Sequence, residues 1–370
     1  MHEDQVVGTL KRCGIDTVVS LPCDKNRRLT SELHLNFRTI DITREEDGVG
    51  ICAGICLAGK RPVMSIQSSG LGNMMNALMS LTSLYEFPLP ILASWRGVEN
   101  ETIPAQIPFN IGIEGMLRNY GVPSVAVRSA DDLDLVYPAV KDAFDRNTAV
   151  VVLIAPSVWG EPPPQTVDFP SRRTFASLRY EREFPEPRLS RLEAIKAIES
   201  SVDDETVVVS NIGVPSKEVF ACGDRPLNFY MLGSYTQATP IGLGIALSSS
   251  RRVVVIDGDG SLLGSSVLPV AAAESPPNLT ILCLDNGTFG STGNQLNPAY
   301  AVSDLELAAK AYGIEHTCTV NTSEGISSAV SKNKSMFVRA LIRPGNSDSP
   351  NIPLDARTIK DRFIAAARRP

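Results

Sequence analysis

The chain has 370 residues, 43% of them hydrophobic and 21% charged, with a net charge of −6. That is enough apolar material for two cored domains, and a mildly acidic chain without a long basic run excludes nucleic acid or an anionic membrane surface as its main partner. No stretch reaches the roughly 20 apolar residues that span a bilayer, and the N-terminal MHEDQVVGTL lacks the basic and apolar regions of a signal peptide, so a cytoplasmic protein is expected.

In chain order, the first half offers five β-branched runs as strands: IDTVVSL, RTIDIT, PVMSIQ, PLPILAS and AVVVLIAP. The first is followed by Leu21-Pro22-Cys23-Asp24-Lys25 and the second by Glu45 and Glu46, which open the helical DGVGICAGICLAG. PVMSIQ leads into Gln67-Ser68-Ser69-Gly70-Leu71-Gly72-Asn73 and the helical LGNMMNALMSLTSLY, and PLPILAS leads into Trp95-Arg96-Gly97. Cys52 and Cys56, four residues apart, share a helix face and form no C-x-x-C pair. The seven cysteines are an odd number, mostly in apolar runs, and read as reduced thiols.

Residues 156–187 hold seven of the 26 prolines and no periodicity, which predicts an interdomain linker. A helix resumes at Ser190 with RLEAIKAIES, and six further strands follow: TVVVSNI, LNFYML, RVVVIDG, NLTILCLDN, HTCTV and SMFVRALI. The terminal DARTIKDRFIAAARRP reads as a solvated or docking helix. Continuous apolar strands alternating with helices predict an α/β chain of two doubly wound, mostly parallel sheets, over about 1–156 and 188–345, with a linker at 157–187 and a tail at 346–370.

Ligands of open parallel sheets bind beyond the carboxyl ends of the strands. There the strongest signal is Gly258-Asp259-Gly260-Ser261, one βαβ crossover ahead of Asn286. That spacing brings the Asp259 carboxylate and the Asn286 amide oxygen to one point above the sheet, joined by the Thr288 carbonyl. Three hard oxygens leave half an octahedron for phosphate and water, which suits Mg²⁺. Gly258 and Gly260 permit close backbone approach, and Ser261 is expected to cap a helix whose N-terminus favours an anion.

This pattern resembles the diphosphate domain of thiamine-diphosphate enzymes. The resemblance implies Asp259, Asn286 and Thr288 as Mg²⁺ ligands, and Gly233, Ser234, Tyr235, Gly258, Gly260, Ser261, Phe289 and Gly290 as further cofactor contacts. An acid opening a helix reads on its own as a partner of the helix dipole. The segment E-E-D-G-V-G-I-C-A-G, however, resembles the family's pyrimidine domain, whose glutamate shares a proton with the cofactor's aminopyrimidine ring. Placing Gly54 on the family's glycine makes Glu45 that residue, or Glu46 if the register slips by one.

Taken together, the strand-end segments look like the sulfopyruvate decarboxylase branch, with phosphonopyruvate decarboxylase a close relative. The resemblance implies decarboxylation of a small acidic 2-oxo acid, 3-sulfopyruvate first, to sulfoacetaldehyde and CO₂, a step of coenzyme M biosynthesis, with phosphonopyruvate as the alternative. It places Lys25, Gln67, Ser68, Ser69 and Arg96 at the substrate, with Arg27 and Arg28 as further candidate cations, and implies a homo-oligomer, dimer or tetramer, with the site between chains. One departure stands out. Gly233-Ser234-Tyr235-Thr236 replaces a Gly-Ser-Met-Gly type sequence, which supports a different reading, an inactive cofactor-binding regulatory subunit.

Overall fold

The computed structural model describes residues 2–159, 182–332 and 334–368, so most of the proline-rich stretch expected as a linker lies outside the described residues. The first half begins α1 (His2–Arg12), β1 (Thr17–Ser20), α2 (Arg27–Asn36), β2 (Arg38–Asp41), α3 (Glu45–Leu57), β3 (Pro62–Gln67) and α4 (Gly70–Ala77). It continues with β4 (Leu89–Ser94), α5 (Ile107–Ile111), α6 (Ile113–Asn119), β5 (Ser124–Val127), α7 (Val136–Asp145) and β6 (Ala149–Ile154). The second half begins α8 (Arg191–Glu199), β7 (Val207–Ser210), α9 (Val214–Cys222), β8 (Asn228–Tyr230), α10 (Ala238–Ser248), β9 (Val253–Gly258) and α11 (Asp259–Leu263). It ends α12 (Val267–Glu274), β10 (Leu279–Asp285), β11 (Thr288–Phe289), β12 (Gln295–Leu296), α13 (Leu305–Tyr312), β13 (Thr317–Val320), α14 (Ser323–Val330), β14 (Met336–Leu341) and α15 (Ala356–Ala367).

Two six-stranded sheets result, ordered β2-β1-β3-β4-β6-β5 and β13-β14-β10-β9-β7-β8, and every strand pair within them is parallel. Counted within its own half, the second sheet also runs 2-1-3-4-6-5, so one topology occurs twice in the chain. The order reverses between the first and third strands of each half, the place where such sheets bind ligands. The apolar runs at β6, β9 and β10 are buried along nearly their whole length, as strands with helices on both faces must be. The fold expectation therefore holds, with one strand of the two sheets missed and the short β11–β12 hairpin not foreseen. β5 is a short edge strand, mostly half-buried, so it carries no continuous apolar signal.

The two halves meet through α3 and α10. All 13 residues of α3 are buried, and a Cβ at Gly54 or at Gly244 would lie 2.1 Å from a backbone oxygen of the other helix. Only glycine permits that backbone-to-backbone crossing, and it fixes the helix that begins at Glu45 against the second half. The terminal helix docks: Ile359 and Phe363 of α15 are fully buried, and the Phe363 ring meets Phe229 edge-on at 6.0 Å. Lys360 Nζ donates to the Glu86 carbonyl at 3.0 Å, tying α15 to the first half as well. All seven cysteines are free thiols, and no described helix is long and apolar enough to cross a membrane.

Candidate active site

Parallel pairing of β9 with β10 sets Gly258 opposite Leu284. The residues that follow, Asp259 and Asn286, therefore leave the same edge of the sheet on adjacent strands. They line one cleft with Asn211, Gly258, Gly260, Thr288 and Gly290. Ser261 does not cap the helix as expected. Gly258 is the N-cap and Ser261 lies inside α11, because the chain turns helical at Asp259. The single helix expected after the glycines is also two, broken between Leu263 and Val267.

The cleft's polar groups are held from behind. Asp285 accepts from the Gly287 N–H at 3.0 Å and from Arg339 Nε at 2.6 Å, and Asn286 Oδ1 accepts from the Thr288 N–H at 2.9 Å. These bonds shape the turn that carries Asn286 and Thr288. Asp257 is satisfied by the Thr239 hydroxyl at 2.6 Å and the Gly258 N–H at 2.8 Å. Asp259 is different. Asn297 Nδ2 donates to it at 2.7 Å, but it forms no ion pair among the described residues. Burial first, then the charge of Asp285, pushes its carboxyl up to about 7.

A buried carboxylate without a cation is costly, and a divalent ion removes that cost. One carboxylate, one amide oxygen and a nearby carbonyl form the hard-oxygen set that Mg²⁺ takes. Among the described residues no group of three or more His, Cys, Asp and Glu side chains could hold a metal, which leaves this mixed set as the fitting one. At Gly260 a Cβ would lie 2.7 Å from the Phe289 ring, so glycine is what lets that ring lie against the turn. Ser234 Oγ is buried without a hydrogen-bond partner, a vacancy that a cofactor can fill.

Ser234 and Thr236 both hold left-handed backbone, with φ of 70° and 72°. For a β-branched threonine this is strained, and a glycine would hold the same backbone without strain. Tyr235 folds over α11, its hydroxyl donating to the Gly260 carbonyl at 2.5 Å. The loop sits in a widened helical turn: residues Leu78–Ser83 form a π-helix, and a Cβ at Gly233 would lie 2.5 Å from the Ser80 carbonyl oxygen. The helix expected through residues 71–85 runs from α4 into this wider, underwound turn.

In the first half, the segments expected at the substrate form one hydrogen-bonded patch. Arg96, 2% exposed, donates from Nη1 to Asp24 at 2.7 Å and to Gln67 Oε1 at 3.1 Å. Its other edge grips Glu101 at 2.7 and 3.1 Å, and that pairing holds the Glu101 carboxyl at about 2. The Arg96 N–H donates to Ser68 Oγ at 2.9 Å, while Gln67 Nε2 binds Ser69 Oγ. Ser69 is the N-cap of α4 without a side-chain capping bond. Lys25 follows Asp24 and is exposed, Arg28 faces Glu3 at 3.6 Å, and Arg27 Nε donates to the Asp24 carbonyl at 3.1 Å.

Glu45 opens α3 with 8% exposure. Asn73 Nδ2 donates to its Oε2 at 3.0 Å, and a Cβ at Gly70 would lie 2.3 Å from its Oε1. Glu46 is instead paired with Arg44 at 2.8 Å. The geometry thus separates two acids that the sequence left as alternatives. Sequence reasoning missed Glu101, which carried no signal in a polar loop. It also missed Asp47, which is buried and accepts from the Ser265 hydroxyl at 2.8 Å and the Ser266 N–H at 3.0 Å across the two halves.

Comparison with known proteins gives a consistent result. Residues 2–121 match the model described as thiamine pyrophosphate enzyme, N-terminal TPP binding domain, and residues 217–342 match the C-terminal TPP binding domain. The chain is 42% identical to the sulfopyruvate decarboxylase of Methanosarcina acetivorans, over 98% of this chain and 96% of that protein. It is 32% identical to the phosphonopyruvate decarboxylase of Streptomyces viridochromogenes, over 99% and 94%. The fold is similar to the crystal structure of benzoylformate decarboxylase from Polynucleobacter necessarius, with a TM-score of 0.75 at 13% identity, over 94% of this chain and 99% of that one.

Proposed function

The chain belongs to the thiamine pyrophosphate enzyme family, and from that premise we propose that it decarboxylates 3-sulfopyruvate to sulfoacetaldehyde and CO₂, the coenzyme M-forming branch of this chemistry. Bound thiamine diphosphate supplies the electron sink for the pair released with CO₂. Asp259, Asn286 and the Thr288 carbonyl hold Mg²⁺, and the Gly258–Ser261 and Thr288–Gly290 segments hold the diphosphate. Glu45 is the proton-holding acid. Its Oε2 is fixed by Asn73, which leaves Oε1, in the space that Gly70 keeps open, as the oxygen that takes and returns a proton.

One observation carries the choice of substrate: the charge balance of the strand-end patch. Arg96 is matched by Glu101 and Asp24, so it orients Gln67 and the Asp24-Lys25 turn and has little charge left for a substrate. Lys25 forms no ion pair among the described residues and the Arg27 guanidinium is bonded to the Asp24 carbonyl alone, so the turn offers two unmatched cations. Two positive groups balance the carboxylate and monoanionic sulfonate of sulfopyruvate and fall short of a carboxylate with a dianionic phosphonate. The likeness along the whole chain to a decarboxylase of sulfopyruvate supports the same reading.

We read residues 1–156 as the pyrimidine domain, 157–187 as linker, 188–345 as the diphosphate domain and 346–370 as tail. The diphosphate cleft is lined, among the described residues, by the second half alone, and Leu296, Tyr300 and Val302 stand exposed nearby. Both features support a homo-oligomer in which a second copy's first half closes the cleft. The deciding experiment is aldehyde release from sulfopyruvate, phosphonopyruvate and pyruvate, with and without thiamine diphosphate and Mg²⁺. Cofactor-dependent turnover fastest on sulfopyruvate is expected; a preference for phosphonopyruvate moves the chain to the neighbouring branch.

A further inference from the structure

The diphosphate cleft is rich in acids and is lined by one cationic side chain among the described residues, Arg191. Arg191 is the first residue of α8 and is 6% exposed. Its Nε donates to Glu218 Oε2 at 2.7 Å, and its Nη2 donates to Glu218 Oε1 at 3.2 Å and to Asn346 Oδ1 at 2.9 Å. Asn346 in turn donates from Nδ2 to the Gly290 carbonyl at 2.8 Å, and the Ser347 N–H reaches Glu218 at 3.3 Å. The segment after β14 is thereby bound into the loop that carries Thr288.

A guanidinium has five N–H donors in a rigid plane. The Nε–Nη2 edge is fully used by Glu218 and Asn346. The Nη1 group has no hydrogen-bond partner among the described residues and lies 3.5 Å from where a Cβ of Gly290, another residue of the cleft wall, would stand. A fork through Nε and Nη2 leaves the two Nη1 N–H groups over, and here the residue that carries them lines the cleft. An arginine locked by a fork and open on its far edge is the arrangement that receives a phosphoryl oxygen. From the opposite side, a Cβ at Gly213 would lie 2.9 Å from Ser291 Oγ, so the loop is confined on both flanks.

We propose that Arg191 is a positioning residue for the diphosphate end of the cofactor: held by Glu218 and Asn346, it offers Nη1 to the terminal phosphoryl group and, through Asn346, fixes the Gly290 carbonyl and the metal-bearing loop. This rests on the cleft being the diphosphate site. The test uses the full-length oligomer with saturating Mg²⁺. Binding of thiamine diphosphate and of thiamine monophosphate is measured by calorimetry, and backbone hydrogen exchange is followed over residues 286–292.

In Arg191→Lys the preference for the diphosphate over the monophosphate is expected to shrink by on the order of tenfold, because a point charge cannot keep both the fork and the open edge. In Asn346→Ala the preference is largely kept and exchange of the loop rises several-fold. Wild-type preference and wild-type exchange in both variants overturn the inference, and if Arg191→Lys does not fold, unchanged exchange in Asn346→Ala overturns the loop clamp by itself. Absence of Mg²⁺-dependent thiamine diphosphate binding by the wild-type protein overturns the cleft assignment instead, and the inference with it.

Discussion

The two halves share one strand order, yet their strand-end clusters are charged in opposite ways. In the first half the substrate-side patch neutralises itself: Arg96 faces Glu101 and Asp24, and Glu46 faces Arg44, while the buried acids Glu45 and Asp47 of α3 are held by hydrogen bonds. In the second half Arg339 matches Asp285, but Asp259 forms no ion pair among the described residues, and burial raises its carboxyl to about 7. A cluster that neutralises itself is set before any ligand arrives. A cluster with an unmatched buried acid is completed by one. On the proposed reading the first half supplies preformed geometry, and the second supplies metal-dependent affinity.

The largest effect is expected at Glu45, which opens α3 and forms no ion pair among the described residues. Glu45→Gln keeps the Asn73 contact in outline and removes the exchangeable proton, so aldehyde release should fall on the order of 10³-fold while circular dichroism and cofactor binding stay near wild type. Turnover near wild type takes Glu45 out of the chemistry. Next comes Asp259→Asn. Mg²⁺-dependent thiamine diphosphate affinity should drop roughly 100-fold or more, yet the metal-free variant should resist urea at least as well as wild type, since an uncompensated buried charge is gone. A metal-free variant clearly weaker than wild type would mean that Asp259 is matched after all, and the contrast between the halves would fail.

Glu101→Gln attacks the self-neutralised side. Both partners are nearly inaccessible, with side chains 2% and 3% exposed, so leaving Arg96 with Asp24 alone should cost about 3 kcal/mol in urea unfolding, with or without cofactor. A loss that saturating cofactor erases would place the patch in the ligand-dependent class. Asp47 tests the seam between the halves. Burial pushes its carboxyl from an ordinary 3.8 up to about 6, against the opposing pull of Ser265, Ser266 and Arg44, with Glu46 adding a small push upward. Between those values the folded protein binds more protons than the unfolded chain, so this group makes stability fall as pH rises through the window and holds it at its lowest above about pH 6. The wild-type minus Asp47→Asn difference should change across that window by up to about 3 kcal/mol, read by urea midpoints from pH 4 to 7; a flat difference removes Asp47 from the account.

The sequence made the paired topology legible because buried parallel strands write themselves as continuous apolar runs, and the Gly258–Ser261 to Asn286 spacing is a single crossover. Glu45 was legible by its place at a strand end, but its separation from Glu46 was not, since that depends on Arg44 and Asn73 reaching opposite acids. Arg96 was expected to meet substrate. Glu101, five residues on, had no pattern to mark it as the partner that neutralises the guanidinium. Arg191, Glu218 and Asn346 were out of reach for the same reason: they lie on three separate segments whose convergence no local period encodes. Half-buried β5 was missed because an edge strand lacks the run that signals a central one.

The smallest predicted effect bears on the same contrast from the cofactor side. Ser234 combines a φ of 70° with a buried hydroxyl that has no partner. The left-handed backbone costs roughly 1–2 kcal/mol for a residue with a Cβ, and the unmet hydroxyl costs about 1 more or above. Glycine removes both and returns about 0.5–1 kcal/mol of backbone entropy to the unfolded chain. Ser234→Gly should therefore stabilise the cofactor-free protein by about 1 kcal/mol in urea unfolding, while weakening thiamine diphosphate binding a few-fold if the hydroxyl finds its partner there. A cofactor-free variant less stable than wild type would mean that the strain is relieved by neighbours, and that the second half is more complete without its ligand than its unmatched acid implies.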